Sequence, residues 1–285
     1  MVEVFFESNK EAISFCERLF REHQQIELNW KIDEKWGNHL KFPDELPLPK
    51  NELLDVIAGT MVDVFMTHRL GTMIKRIIKD YYYYTEQEEI ERIHDLTDWI
   101  ITGEDEDSKR LRNNKNQHVF LKSLFIANLK ENFEFHFDSI MNFRLKSFKD
   151  QLISYVGLAI DEFKREEDHQ AFIDTLRAYV IKKDPDIPVI HILQGSTFTF
   201  FKQNGKRLTN IDLRILMKNE PLYIVGLHDN EFNLAPLIAM APEKLKIYGD
   251  DPSEPKTLTV INVFQEKVDF EPISNFPFPY YLNHE

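Results

Sequence analysis

Two Glu-x-x-His pairs, Glu91–His94 and Glu166–His169, set a carboxylate and an imidazole at metal-ligating helical spacing. A carboxylate di-iron bundle needs two such pairs and two further glutamates, all facing the bundle interior. The helical wheel argues against the first pair. Ile90, Ile93, Leu96, Ile100 and Ile101 define the apolar face, and Glu91 points about 150° away from it. The second pair lies in REEDHQ, which reads as a junction between two helices. The ten histidines are otherwise dispersed, with no H-E-x-x-H. No metal site is expected. The single cysteine, Cys16, shares a helical face with Ile13, Leu19 and Phe20, so it reads as a small core residue. The nine glycines are never closer than Gly195 and Gly205. That spacing excludes G-x-G-x-x-G, G-x-x-x-x-G-K and G-x-S-x-G, which need glycine for close phosphate approach or a strained nucleophile turn. No cofactor is expected, and no catalytic residue can be named.

The charges are more informative. Residues 85–107 hold ten acids and one base, whereas residues 108–130 hold six bases and no acid. Either these are two neighbouring helices that neutralise each other, which adjacency in sequence favours, or a solvated loop, or they form an acidic interaction patch and a basic nucleic-acid face. FRLKSFK interleaves Phe143, Arg144, Lys146, Phe148 and Lys149. Arg144 and Lys146 project about 160° apart on a helix, so they make no continuous stripe. Arg110, Arg112, Lys115, Arg144 and Lys146 are the candidate interaction surface. The net charge of −13 over 285 residues opposes general nucleic-acid binding, because such affinity comes from releasing phosphate counterions.

The elements that must position these residues follow from proline. Pro43, Pro47 and Pro49 are followed by 135 residues without proline, and ten of the 13 prolines lie from Pro185 onward. A long proline-free stretch suits helices, since an interior proline costs about 3 kcal/mol. The expected fold class is α+β: a short β-α-β segment over 1–48, an all-helical bundle over 49–184 and a small mixed α/β domain over 185–285, with a boundary near Lys183–Pro188. VEVFF, IELNWKI and GNHLKF read as strands, with Ser8 capping the first helix. Apolar pairs predict a helix from Asn51 to about Tyr81, kinked at Gly71. Thr85 with Glu88 predicts a capping box opening a helix to Ile101. Further helices are predicted at 108–130, at 140–165 with Met141, Leu145, Phe148, Leu152, Val156, Ala159 and Phe163 as its stripe, and after Asp168. VIHIL and TFTFF flank Gly195–Ser196, a dipeptide that suits a two-residue hairpin turn, and Asn204–Gly205 marks a second turn. Helices at 210–218, 229–241 and 255–265 alternate with strands KLKIY and KVDF.

The segment from Phe137 to Val180 resembles the YtxC-like family of sporulation proteins of endospore-forming bacteria. The resemblance rests on Phe143-Arg144-Leu145 opening a long helix, an acidic junction at Glu166-Glu167-Asp168, and Phe172-Ile173 with Tyr179-Val180 in the helix that follows. FNLAPLIAMAPEKLKIYG, with Ala241-Pro242 before a strand, and the cluster Tyr81–Tyr84 fit the same pattern. The likeness spans roughly Leu53 to Phe270. It implies a role in sporulation and no particular reaction.

The reading is a cytoplasmic accessory protein that acts through protein partners. The start of the chain lacks the basic residues of a secretory signal, and no apolar run approaches the roughly 20 residues of a membrane span. An enzyme with a site assembled at the junction of the helical and α/β parts is one rival. A nucleic-acid-binding factor using the local basic segments is the other.

Overall fold

The computed structural model describes residues 2–43, 48–131, 134–228 and 230–283. The chain forms two compact units, 1–164 and 165–285.

In the first unit, β1 (Val2–Phe6), β2 (Asn29–Asp33) and β3 (Gly37–Phe42) join a late strand, β4 (Glu134–His136), in the order β2-β3-β1-β4. β1 and β2 are both antiparallel to β3, whereas β4 runs parallel to β1 in the register Val4↔Phe135. Alternation sets the faces. Val2, Val4, Phe6, Leu40, Phe42 and Phe135 enter the core, together with Ala12, Phe15, Cys16 and Leu19 of α1 (Asn9–Glu22). Glu3, Phe5, His39 and Lys41 take the opposite face, where Phe5 stacks between His39 and His136 at 4.3 and 4.5 Å. The fourth strand was not legible in the sequence, because three residues, EFH, carry no periodic signal.

The helices differ from expectation at their ends. The stretch read as one helix is α2 (Lys50–His68) and α3 (Leu70–Asp80), broken at Arg69 rather than at Gly71. α4 (Gln87–Thr102) starts after Glu86 without a side-chain cap, so the Thr85–Glu88 capping box does not form. Ser8 precedes α1, but its side chain makes no cap bond either. The basic stretch is two helices, α5 (Glu106–Leu111) and α6 (Gln117–Glu131). Asn113 and Asn114 separate them at φ 55° and 57°, a left-handed conformation that asparagine tolerates better than most residues.

α7 (Phe137–Phe143) ends at Arg144, and α8 (Lys146–Lys182) then runs for 37 residues. REEDHQ therefore lies inside a helix and is not a junction. Its side chains are exposed, and without proline or glycine nothing in it breaks the backbone hydrogen bonds. The predicted stripe is buried from Leu145 to Phe163, while Met141 belongs to α7.

The acidic and basic helices do not neutralise each other as predicted. α4 packs on α3, where Lys75 Nζ donates to both Glu91 oxygens at 2.7 Å, and α6 packs on α2, where Lys122 meets Asp55 at 2.7 Å and His118 meets Asp63 at 3.1 Å. Among the described residues Lys109, 3.8 Å from Glu104, keeps the expected pairing.

The second unit begins within α8. Its sheet orders as β6-β5-β7-β8, from β5 (Ile187–Leu193), β6 (Thr199–Lys202), β7 (Pro242–Gly249) and β8 (Val268–Pro272). β5, β7 and β8 are parallel, and β6 is antiparallel to β5 with Leu193 opposite Thr199. The connection is thus a five-residue loop, 194–198, not a two-residue turn. α9 (Asn210–Lys218), α10 (Ala235–Met240) and α11 (Pro255–Phe264) supply the crossovers. α10 is shorter than the predicted 229–241, of which Asp229 lies outside the described residues.

One face of this sheet, with Ile190, Ile192, Phe200, Leu245 and Ile247, packs on the helices and on Ile173, Leu176 and Val180 of α8. The other, with Leu193, Phe201 and Tyr248, is covered by Phe276, Phe278 and Tyr281 from the chain that follows β8.

Candidate functional site

The candidate residues divide by burial. Arg112 is only 7% exposed; its Nη1 donates to the carbonyls of Ile100, 3.1 Å, and Gly103, 2.6 Å. It therefore closes the C-terminus of α4, where orphan carbonyls and the helix dipole favour a cation. Arg110, Lys115, Arg144 and Lys146 are exposed.

Of the five, Arg144 lines a cavity. This cleft, about 320 Å3, lies between β4, α7 and the end of α6. Phe135 and Ile140 are buried at its base, His136 forms a wall, and Asn128, Glu134, Phe143 and Arg144 stand around it. β4 positions His136 by pairing with β1, and the ring is packed between Phe5 at 4.5 Å and Trp36 at 4.4 Å. Its Nδ1 is buried without a hydrogen-bond partner among the described residues. Phe143 is 80% exposed. The α7–α8 break puts it there: Phe148 turns into the core and meets Phe65 edge-on at 5.4 Å, while Phe143 and Arg144 stay outside. Arg144 has no ion-pair partner among the described residues. A guanidinium beside an exposed ring and an apolar base can grip a carboxylate while an apolar side chain covers the phenylalanine.

A second groove, about 410 Å3, lies in the second unit between α8, α11 and the loop before α10. It takes His169 and Phe172 from α8, His228 and Glu231 from the loop, and Lys256 and Val260 from α11. Its charged groups hold the protein's own backbone. Glu231 accepts from the N–H groups of Asn233, Leu234 and Ala235, and Lys256 Nζ donates to the Ser196 carbonyl.

The two Glu-x-x-His pairs gather no ligand set. Glu91 is bound to Lys75, which holds its carboxyl below the usual range, and His94 Nδ1 lies 3.3 Å from Asp95. Among the described residues no group of three or more His, Cys, Asp or Glu could hold a metal ion. Cys16 is buried, and burial pushes its thiol up to about 11.

Sequence reasoning missed a buried charge cluster. Arg69, at the α2–α3 break, donates through Nε and Nη2 to Glu11 and through Nη2 to Asp138 at 2.6 Å; Asp138 also accepts the Glu7 N–H at 3.0 Å. Glu11 is 3% and Asp138 7% exposed. The carboxylates raise the arginine's pKa, chiefly through the Glu11 hydrogen bonds. No local signal marks this triad, whose members lie 58 and 69 positions apart. It ties α1, the α2–α3 break and α7 together.

An α+β chain with two mixed four-stranded sheets and a cleft at its Phe-Arg-Leu helix break is thus the class of protein to be compared. The YtxC-like family matches residues 55–269, and the chain belongs to that family. It is 30% identical to the uncharacterized protein YtxC of Bacillus subtilis (strain 168) over 282 residues, which cover 97% of this chain and 96% of that protein. No solved structure matches it. No helix among the described residues is long and apolar enough to cross a membrane.

Proposed function

We propose that this chain is a cytoplasmic accessory protein of sporulation that works by protein contact, with the Phe143–Arg144 cleft as its contact surface. The observation that carries the reading is Phe143, 80% exposed beside an exposed arginine. Covering that ring would contribute about 2 kcal/mol, and Arg144 selects a partner that also offers a carboxylate. The sporulation context rests on the family. Ser139, His136 and Glu134 also line the cleft, but no hydrogen bond joins the Ser139 hydroxyl to either among the described residues, so the exposed ring and guanidinium favour binding. Protein is favoured over nucleic acid because Arg112 and Lys122, two of the six bases in 108–130, already serve internal bonds.

The test is a tagged pull-down from sporulating cells with wild type, Phe143→Ser and Arg144→Glu. A partner held by wild type and lost from both variants is the expected result, together with fewer heat-resistant spores and normal vegetative growth in a deletion strain. Retention of the same partner by both variants, or normal sporulation without the gene, overturns the reading.

A further inference from the structure

β2 (Asn29–Asp33) is an edge strand that pairs with β3 alone among the described strands. Four of its five residues are exposed and the fifth is half-buried. Ile32 is 82% exposed and Trp30 43%. Both take the face of the sheet that carries the core, since Trp30 stands opposite Leu40 and Ile32 opposite Asn38. An open edge with apolar side chains is a template for another strand, and a single lysine is a common guard against it.

Here Lys31 does not stand alone. The triplet Lys31-Ile32-Asp33 is its own complement when read antiparallel. Laying a second β2 about Ile32 sets each lysine opposite an aspartate, where opposite charges across a strand pair attract. Asp33 is already held in place: its Oδ1 accepts the N–H groups of Lys35 and Trp36, both at 2.8 Å. The two neighbouring registers toward the start of β2 bring like charges together. Centring on Lys31 opposes two lysines, and centring on Trp30 brings Asp33 toward Glu27.

We propose that β2 pairs antiparallel with β2 of a second copy of this chain, with Ile32 on the two-fold axis and a Lys31–Asp33 ion pair on either side. Trp30 then lies diagonal to the second copy's Ile32, at about 7–8 Å, within reach of an indole. The two sheets become one of eight strands. Two five-residue strands bury less than the roughly 1,600 Å2 of a standard interface, so the dimer is weak and concentration-dependent.

Sedimentation velocity on the full chain over a concentration series tests this. Wild type should show a reversible monomer–dimer equilibrium. Ile32→Glu should remove the dimer, and Lys31→Glu should weaken it about tenfold, both with an unchanged thermal midpoint because these side chains are exposed. A cysteine on a two-fold axis faces itself. Ile32→Cys should therefore oxidise to a disulfide-linked dimer, whereas Lys31→Cys should not, and buried Cys16 does not compete. A wild type that stays monomeric throughout, a dimer indifferent to Ile32→Glu, or equal cross-linking of the two cysteine variants overturns the proposal.

Discussion

The two sheets are each four-stranded and mixed, yet they are held in different ways. The first closes around buried charge. β1 and β4 are brought side by side from opposite ends of a long helical excursion, and Glu11, Arg69 and Asp138 bind the elements around them. The second closes around aromatic packing. Its parallel strands are joined through β6, α9 and α10 and then through α11, and Phe201 meets Phe276 and Tyr281 at 5.1 and 4.9 Å. Ions fix geometry at a high desolvation cost, whereas rings contribute area with looser geometry. The first unit should therefore be the more sensitive to loss of one partner of a pair, and the second to loss of volume.

The largest effect is expected in the second sheet. Phe201→Ala should cost about 3–5 kcal/mol, read from denaturant unfolding with hydrogen exchange at β5 and β7. A loss below about 1 kcal/mol would mean that the helix side alone holds this sheet. In the first sheet, Arg69→Met leaves two buried carboxylates unpaired and should cost about 3 kcal/mol. Adding Glu11→Gln and Asp138→Asn should recover much of that. If the triple variant is no more stable than the single one, the triad acts through shape rather than charge.

Next comes a pair that sequence treats as equals. Arg112→Met should cost about 1–3 kcal/mol, since it strips two carbonyls of a charged donor. Arg110→Glu should stay within about 0.5 kcal/mol. Equal losses in thermal unfolding would remove the distinction between buried cap and exposed base.

The smallest effect is pH dependence in the second unit. His191 is 9% exposed, and its Nδ1 lies 3.0 Å from the Tyr248 hydroxyl. Burial holds its pKa below the ordinary 6.5, with Lys246 lowering it further and Glu271 opposing. The unfolded chain then binds the proton more readily than the folded one. The His191 contribution is complete above about pH 6.5 and is lost as pH falls toward the folded value, with a slope of at most about 1.4 kcal/mol per pH unit. His191→Gln should flatten that slope in exchange rates measured on β5, and an unchanged slope would assign it to other groups.

Much of the local structure was legible. β1 and β3 sit where VEVFF and GNHLKF placed them, because alternating apolar residues beside turn formers act over a few positions. The stripe from Leu145 to Phe163 was readable for the same reason. Helix ends were less so. Gly71 looked like the break, but the chain breaks at Arg69, the residue that the two carboxylates hold. The charged run REEDHQ looked like a junction, yet charge on a solvent-facing helix costs little and the helix continues. Within the candidate site, the Phe-Arg-Leu segment was visible as an aromatic–basic run. That Phe143 faces out while Phe148 faces in depended on where α7 stopped.

By itself, the sequence determined the α+β class, the positions of the periodic strands and helices, the family, and the exclusion of the standard glycine-rich motifs. These depend on interactions within a turn or a strand's width. Tertiary structure alone decided that β4 would pair with β1, that the basic helix would lie on α2 and the acidic one on α3, that Arg112 would be internal, and that Glu11, Arg69 and Asp138 would meet. Each of these joins residues far apart along the chain, up to the 131 positions between Glu7 and Asp138. Loop-closure entropy grows only slowly with such separations, so burial and charge pairing in the folded molecule choose the partner, not proximity along the chain.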